Sequence, residues 1–82
     1  MRFARIVERG NRQVLLTTTT APEGDSYIVL VETQYDGDQF VSIAAGDYAT
    51  RQIAYENMMA LSDDEVIQTI TNILDSLSED LV

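Results

Sequence analysis

The chain has 82 residues, and its 14 carboxylates against five arginines, with no lysine, histidine or cysteine, leave a formal charge of -9. These absences exclude imidazole acid–base chemistry, thiolate and lysine nucleophiles, structural zinc, haem held by His or Cys, and any disulfide. A hydrophobic content of 45% is enough to fold, but a single core in a chain this short supplies only about 3–5 kcal/mol, so self-association is a natural supplement.

The first element in chain order is a hairpin of residues 3–9 and 12–19 around Gly10-Asn11. Glycine at the first central position suits a type II′ turn. This pairing sets Ile6 opposite Leu15 on one face, and Val7 opposite Val14, with Arg5 beside Leu16, on the other. Thr17 to Thr20 end the strand, and Ala21-Pro22-Glu23-Gly24-Asp25-Ser26 is loop chemistry. A second hairpin pairs residues 27–35 with 39–45 around Asp36-Gly37, a signature of the type I′ turn. Pairing outward from it puts Leu30 opposite Ile43, Glu32 opposite Val41 and Ile28 near Ala45 on one face. Tyr35, Thr33, Val31 and Val29 then share the other face with Phe40, Ser42 and Ala44. Both faces carry large apolar side chains, unlike an antiparallel sheet with one wet side.

Helices follow. Residues 47–60 form the first, in which Tyr48, Ile53, Tyr55, Met58 and Met59 spread around the cylinder. The second opens on Ser62-Asp63-Asp64-Glu65, a capping box with Leu61 and Val66 spaced as a hydrophobic staple, and three acids that complement the helix dipole. Val66, Ile70, Ile73, Leu74, Leu77 and Leu81 then mark one apolar stripe. The expected fold is α+β and a single domain: two hairpins in residues 1–46 make an antiparallel four-stranded sheet, and the helical half, residues 47–82, packs two helices on one face.

Two short helices cover one side of such a sheet. The side bearing Val7, Val14, Val29, Val31, Tyr35 and Phe40 is expected to stay open and to form the interface of a homodimer or larger oligomer. Charge is equally uneven. Residues 1–20 hold four arginines against Glu8, a net +3, while residues 21–82 hold thirteen acids against Arg51, a net -12. No basic residue follows Arg51. Glu56, Asp63, Asp64, Asp75, Glu79 and Asp80 are therefore the expected contact surface for a protein partner with a basic face, and one-sign charge of this kind repels nucleic acid.

No catalytic, cofactor or metal residues are assigned. Asp36 and Asp38 flank Gly37, but turn chemistry already demands them, and the twelve-residue calcium loop is missing. Asp63, Asp64 and Glu65 are explained by the helix start. No pair of carboxylates stands out as glycosidase-like, no base is at hand for a Ser or Thr nucleophile, and no glycine-rich phosphate loop is present. Arg2, Arg5, Arg9 and Arg12 with Phe3 could grip phosphate, but the chain is acidic overall, so ion pairs with acids of the same or a neighbouring chain are favoured. Tyr48, Tyr55, Met58 and Met59 read as core before partner groove.

Met1-Arg2-Phe3-Ala4-Arg5 runs straight into a strand pattern, and the longest apolar run, Tyr27 to Val31, is far short of a membrane span. A cytoplasmic protein is expected, or one in a host cytoplasm if a mobile element encodes it. In size and composition the chain resembles the small acidic proteins, many of them from bacteriophages, that inhibit nucleic-acid-handling complexes by occupying basic grooves. That resemblance implies an inhibitor and transfers no residue. The expected function is a non-enzymatic acidic protein-binding module. The alternative is a structural subunit that assembles with itself through the open sheet face, and a hydrolase using carboxylates and a hard metal stands last.

Overall fold

A computed structural model describes residues 4–37 and 39–80, and all of their side chains but those of 35, 36 and 78–80. Strands β1 (Ala4–Arg9), β2 (Arg12–Thr20), β3 (Tyr27–Asp36) and β4 (Gln39–Tyr48) form one antiparallel sheet in the order β1-β2-β3-β4. Helices α1 (Arg51–Ala60) and α2 (Asp63–Asp80) follow and pack on the sheet. This is the α+β arrangement expected from the sequence pattern.

The first hairpin keeps its predicted register, with Arg5 opposite Leu16, Ile6 opposite Leu15 and Val7 opposite Val14. Gly10 has φ 60 and Asn11 no positive φ, which fits type II′ and not type I′. The second hairpin is one residue out. Val31 lies opposite Ile43, Leu30 opposite Ala44 and Gln34 opposite Phe40. Turn and bulge together cause this: Asp36 is still in β3 and pairs with Gln39, so Gly37, at φ 56, is the first residue of the connection and not the second, which alone shifts the pairing by two, and an unpaired Tyr35 takes one residue back. Asp38 lies outside the described residues, and with it the Asp36/Asp38 pair. Between the Gln34–Phe40 and Asp36–Gln39 pairs Tyr35 has no opposite number, which makes it a bulge. A slip of one residue exchanges faces. Phe40, Ser42 and Ala44 leave the valine face, and Ile43 joins it.

The helices cover the valine face, which reverses the expected choice of open side. Val7, Val14, Leu16, Val29 and Val31 of the sheet pack with Ala54 and Met58 of α1 and with Val66 and Ile70 of α2. The polar residues decide this. In the observed register Glu8, Gln13, Glu32 and Gln34 all fall on the opposite side, and covering that side would strip two carboxylates of water without a partner.

Strand β4 runs three residues further than predicted and α1 starts later. Gly46, at φ 79, and Asp47 together oppose Ile28 alone, between the Val29–Ala45 and Tyr27–Tyr48 pairs. This is a bulge with glycine in the left-handed position, and it lets the strand continue to Tyr48. Thr50 then caps α1, its hydroxyl accepting from the Ile53 amide at 3.2 Å. Ser62 caps α2 as predicted, accepting from the Glu65 amide at 3.1 Å. Val66 and Ile70 of the predicted stripe are buried, while Ile73, Leu74 and Leu77 are half-buried; Leu81 lies outside the described residues.

Candidate functional site

The positive and negative halves of the chain meet at a seam between β1 and the helices. Arg5 alternates with Val7 on the helix-covered side of β1, so its guanidinium reaches the two-residue connection between α1 and α2. There it donates to the Met58 carbonyl at 2.9 Å, the Leu61 carbonyl at 2.7 Å and the Asp63 carboxylate at 2.6 Å. The first two acceptors belong to the end of α1, where carbonyls lack intrahelical partners. Asp63 is in the first turn of α2. One planar cation thus closes one helix end and ties down the start of the next. Two residues along, Arg9 pairs with Asp64. The hydrogen bond that Arg9 donates to Asp64, and the charge of that carboxylate, raise the Arg9 pKa above its ordinary value.

The remaining arginines among the described residues are also engaged. Arg12 donates to the Gln34 carbonyl at 2.8 Å, and Arg51 lies over the Tyr27 ring, 5.4 Å from its centroid. Arg5 and Arg9 thus pair with acids of the same chain, one of the two expected alternatives, whereas Arg12 meets a carbonyl and Arg51 a ring. Asp63 and Asp64 each pair with an arginine at the seam, which offsets their charge while leaving them 57% and 81% exposed. Glu56 and Asp75 are exposed, Glu56 accepting only from Gln52 of its own helix at 3.2 Å. The side chains of Glu79 and Asp80 lie outside the described residues.

The predicted oligomer interface is dispersed. Val7, Val14, Val29 and Val31 are at most 3% exposed and form the core of one copy, so they cannot meet a partner without unfolding. The Tyr35 side chain lies outside the described residues. Phe40 is exposed at 66% but on the other side of the sheet, near Ile6 at 64% and Leu15 at 39%. These three border a shallow depression of about 650 Å³ that Glu32 and Arg12 also line. Ile6 and Leu15 were not singled out from the sequence, although the first hairpin's register places them together there. Met58 is buried in the core, Tyr48 and Tyr55 are half-buried, and Met59 is exposed, so those four do not make one groove.

No group of three or more acids among the described residues converges as a metal site would require, and no helix is long and apolar enough to cross a membrane. No protein-family model matches the chain, nor does any curated protein or solved structure.

Proposed function

We propose that the chain is a non-enzymatic protein-binding module that meets a basic surface of its partner with the acidic helical half, and that it acts by occupying that surface. The observation that carries this reading is the disposition of charge. Every arginine among the described residues is turned to a partner within the chain, whereas Glu56 and Asp75 stand exposed on helices without a single basic residue after Arg51. Such a field speeds encounter with a basic partner and fades with salt over about 8 Å at physiological ionic strength.

The test is capture of partners by the immobilised chain from extract of the cell that makes it, compared with the variant Glu56→Lys/Asp75→Lys. Capture by the native chain should weaken as salt rises, and the double variant should associate more slowly with little change in dissociation. Circular dichroism checks that the variant is folded. Capture indifferent to salt and to both reversals would sink the reading. A second reading, assembly of the chain with itself through the open sheet face, is favoured by one observation, the exposure of Ile6, Leu15 and Phe40 on that face.

A further inference from the structure

We infer that the β4 edge is a self-association site, at which two copies of this chain pair antiparallel about a two-fold axis near Ser42 to form a continuous eight-stranded sheet. The inference rests on the second reading above, self-assembly, and moves the contact from the sheet's face to its edge.

The two edges of the sheet are unequal. β1 is six residues long and bears Arg5, Glu8 and Arg9, the charged, short form by which proteins protect an edge from pairing. β4 is ten residues long, and from Gln39 to Gly46 it has neither charge nor proline. Its backbone donors and acceptors on the side away from β3 are a template for another strand.

Burial is unequal as well. On β1 the helix-facing Val7 is 2% exposed. On β4 the corresponding row, Val41, Ile43 and Ala45, is only half-buried, although α1 contacts this strand and Ile43 and Ala45 pack against the core. A small gap of about 80 Å³ lies beside Ala45, bordered by Leu61 and Val66. The neighbouring row of a second copy would complete the layer.

Charge and register select a second copy as the occupant. Chains at -9 repel each other, and they meet at least cost where each is neutral. For a two-fold pairing to keep helix-facing residues together, residues of the same parity must lie opposite. A centre at Ser42 sets Val41 opposite Ile43 and Phe40 opposite Ala44 of the other copy, and it stays clear of the bulge at Gly46–Asp47. Large faces small on the outer side, and β-branched faces β-branched on the inner. On β1 the equivalent pairing about Val7 sets Arg5 opposite Arg9, like charge on like.

The test combines sedimentation of native and variant chains with amide hydrogen exchange at two concentrations. The native chain should sediment as twice 9.2 kDa at high concentration. Ser42→Lys replaces an exposed residue that makes no core contact and should weaken the dimer at least about tenfold by like-charge opposition, with circular dichroism unchanged. Ile6→Asp, on the open face, should leave the dimer intact. Alternate amides between Phe40 and Ala44 should exchange more slowly as concentration rises, and those of β1 should not. A chain that stays monomeric up to about 1 mM overturns both this inference and the second reading. A dimer that tolerates Ser42→Lys, dissolves with Ile6→Asp, or shows no added protection on β4 overturns the edge pairing and leaves face assembly standing.

Discussion

Removing the Arg5 side chain should cost more than any other single change on the surface of this protein. The Arg5 side chain is 16% exposed, and its guanidinium holds two main-chain carbonyls and one carboxylate. Asp63 is 57% exposed, so water can replace its half of the pair, and that part is worth about 1 kcal/mol at most. The Met58 and Leu61 carbonyls are less accessible, and hydrogen bonds to a charged group contribute about 1.5–3 kcal/mol. Arg5→Ala should therefore destabilise by about 3 kcal/mol, a large share of the 5 kcal/mol or so expected of a domain this small. In a thermal melt that corresponds to a fall on the order of 15 °C. Arg5→Lys should recover only part of the loss, because an ammonium cannot span three acceptors in one plane. Urea denaturation followed by circular dichroism reads all of this, with Arg9→Ala as control, since the Arg9–Asp64 pair is 51% and 81% exposed and should matter little. Equal midpoints for Arg5→Ala and the native chain, or equal losses at Arg5 and Arg9, would refute the clamp.

Two further substitutions test the backbone and the core. Gly46→Ala should destabilise by about 1–3 kcal/mol, because φ 79 is strained for alanine and the Tyr48 ring fills the space where its Cβ would go; an unchanged melting temperature would mean the bulge readily relaxes. The Thr18 hydroxyl is buried without a hydrogen-bond partner, so Thr18→Val, which keeps the shape and removes the polar atom, should raise stability by about 1 kcal/mol. A loss in the same urea titration would show that the hydroxyl is satisfied after all.

Local signals in the sequence were legible wherever a turn or cap residue had one reading. Gly10-Asn11 set the first hairpin's register, and Ser62 set the start of α2. The second hairpin was harder because Asp36-Gly37-Asp38 offers two adjacent turn positions, and the difference between them is one residue. That turn step alone would shift the pairing by two residues and leave every side chain on its face; the unpaired Tyr35 takes one residue back, and this bulge carries Phe40 from one face to the other. The covered side also depended on where four polar side chains, Glu8, Gln13, Glu32 and Gln34, collect, and they fall away from the valines whatever the β3–β4 register. Of the candidate site, the excess of acids was plain from composition. The pairing of Asp63 and Asp64 with arginines at the seam was not, because it needs β1 beside the start of α2. A hint was present nonetheless: the first hairpin places Arg5 on the valine side, and a cation on a core face requires an anion or carbonyls above it.

The placement of the arginines ties stability to function. Four cations in the first twelve residues do little to lower the field of the helical half where it faces outward, because those described are held at the seam, Arg5 and Arg9, and beside the end of β3, Arg12. Glu56, Glu65 and Asp75 are exposed on the helices, which lie on the side of the sheet away from its open face. A two-fold pairing through β4 would set the helical layers of both copies on the same side of one sheet. Two acidic layers side by side would engage an extended basic surface with a gain from avidity and no new kind of contact. The same arrangement brings like charges nearer to each other, so dimerisation through the neutral edge should be helped by salt while attachment to a basic partner is hindered by it. Opposite salt dependences of this kind separate self-association from attachment to a basic partner without any mutation, while Ser42→Lys and Ile6→Asp tell which surface carries the dimer.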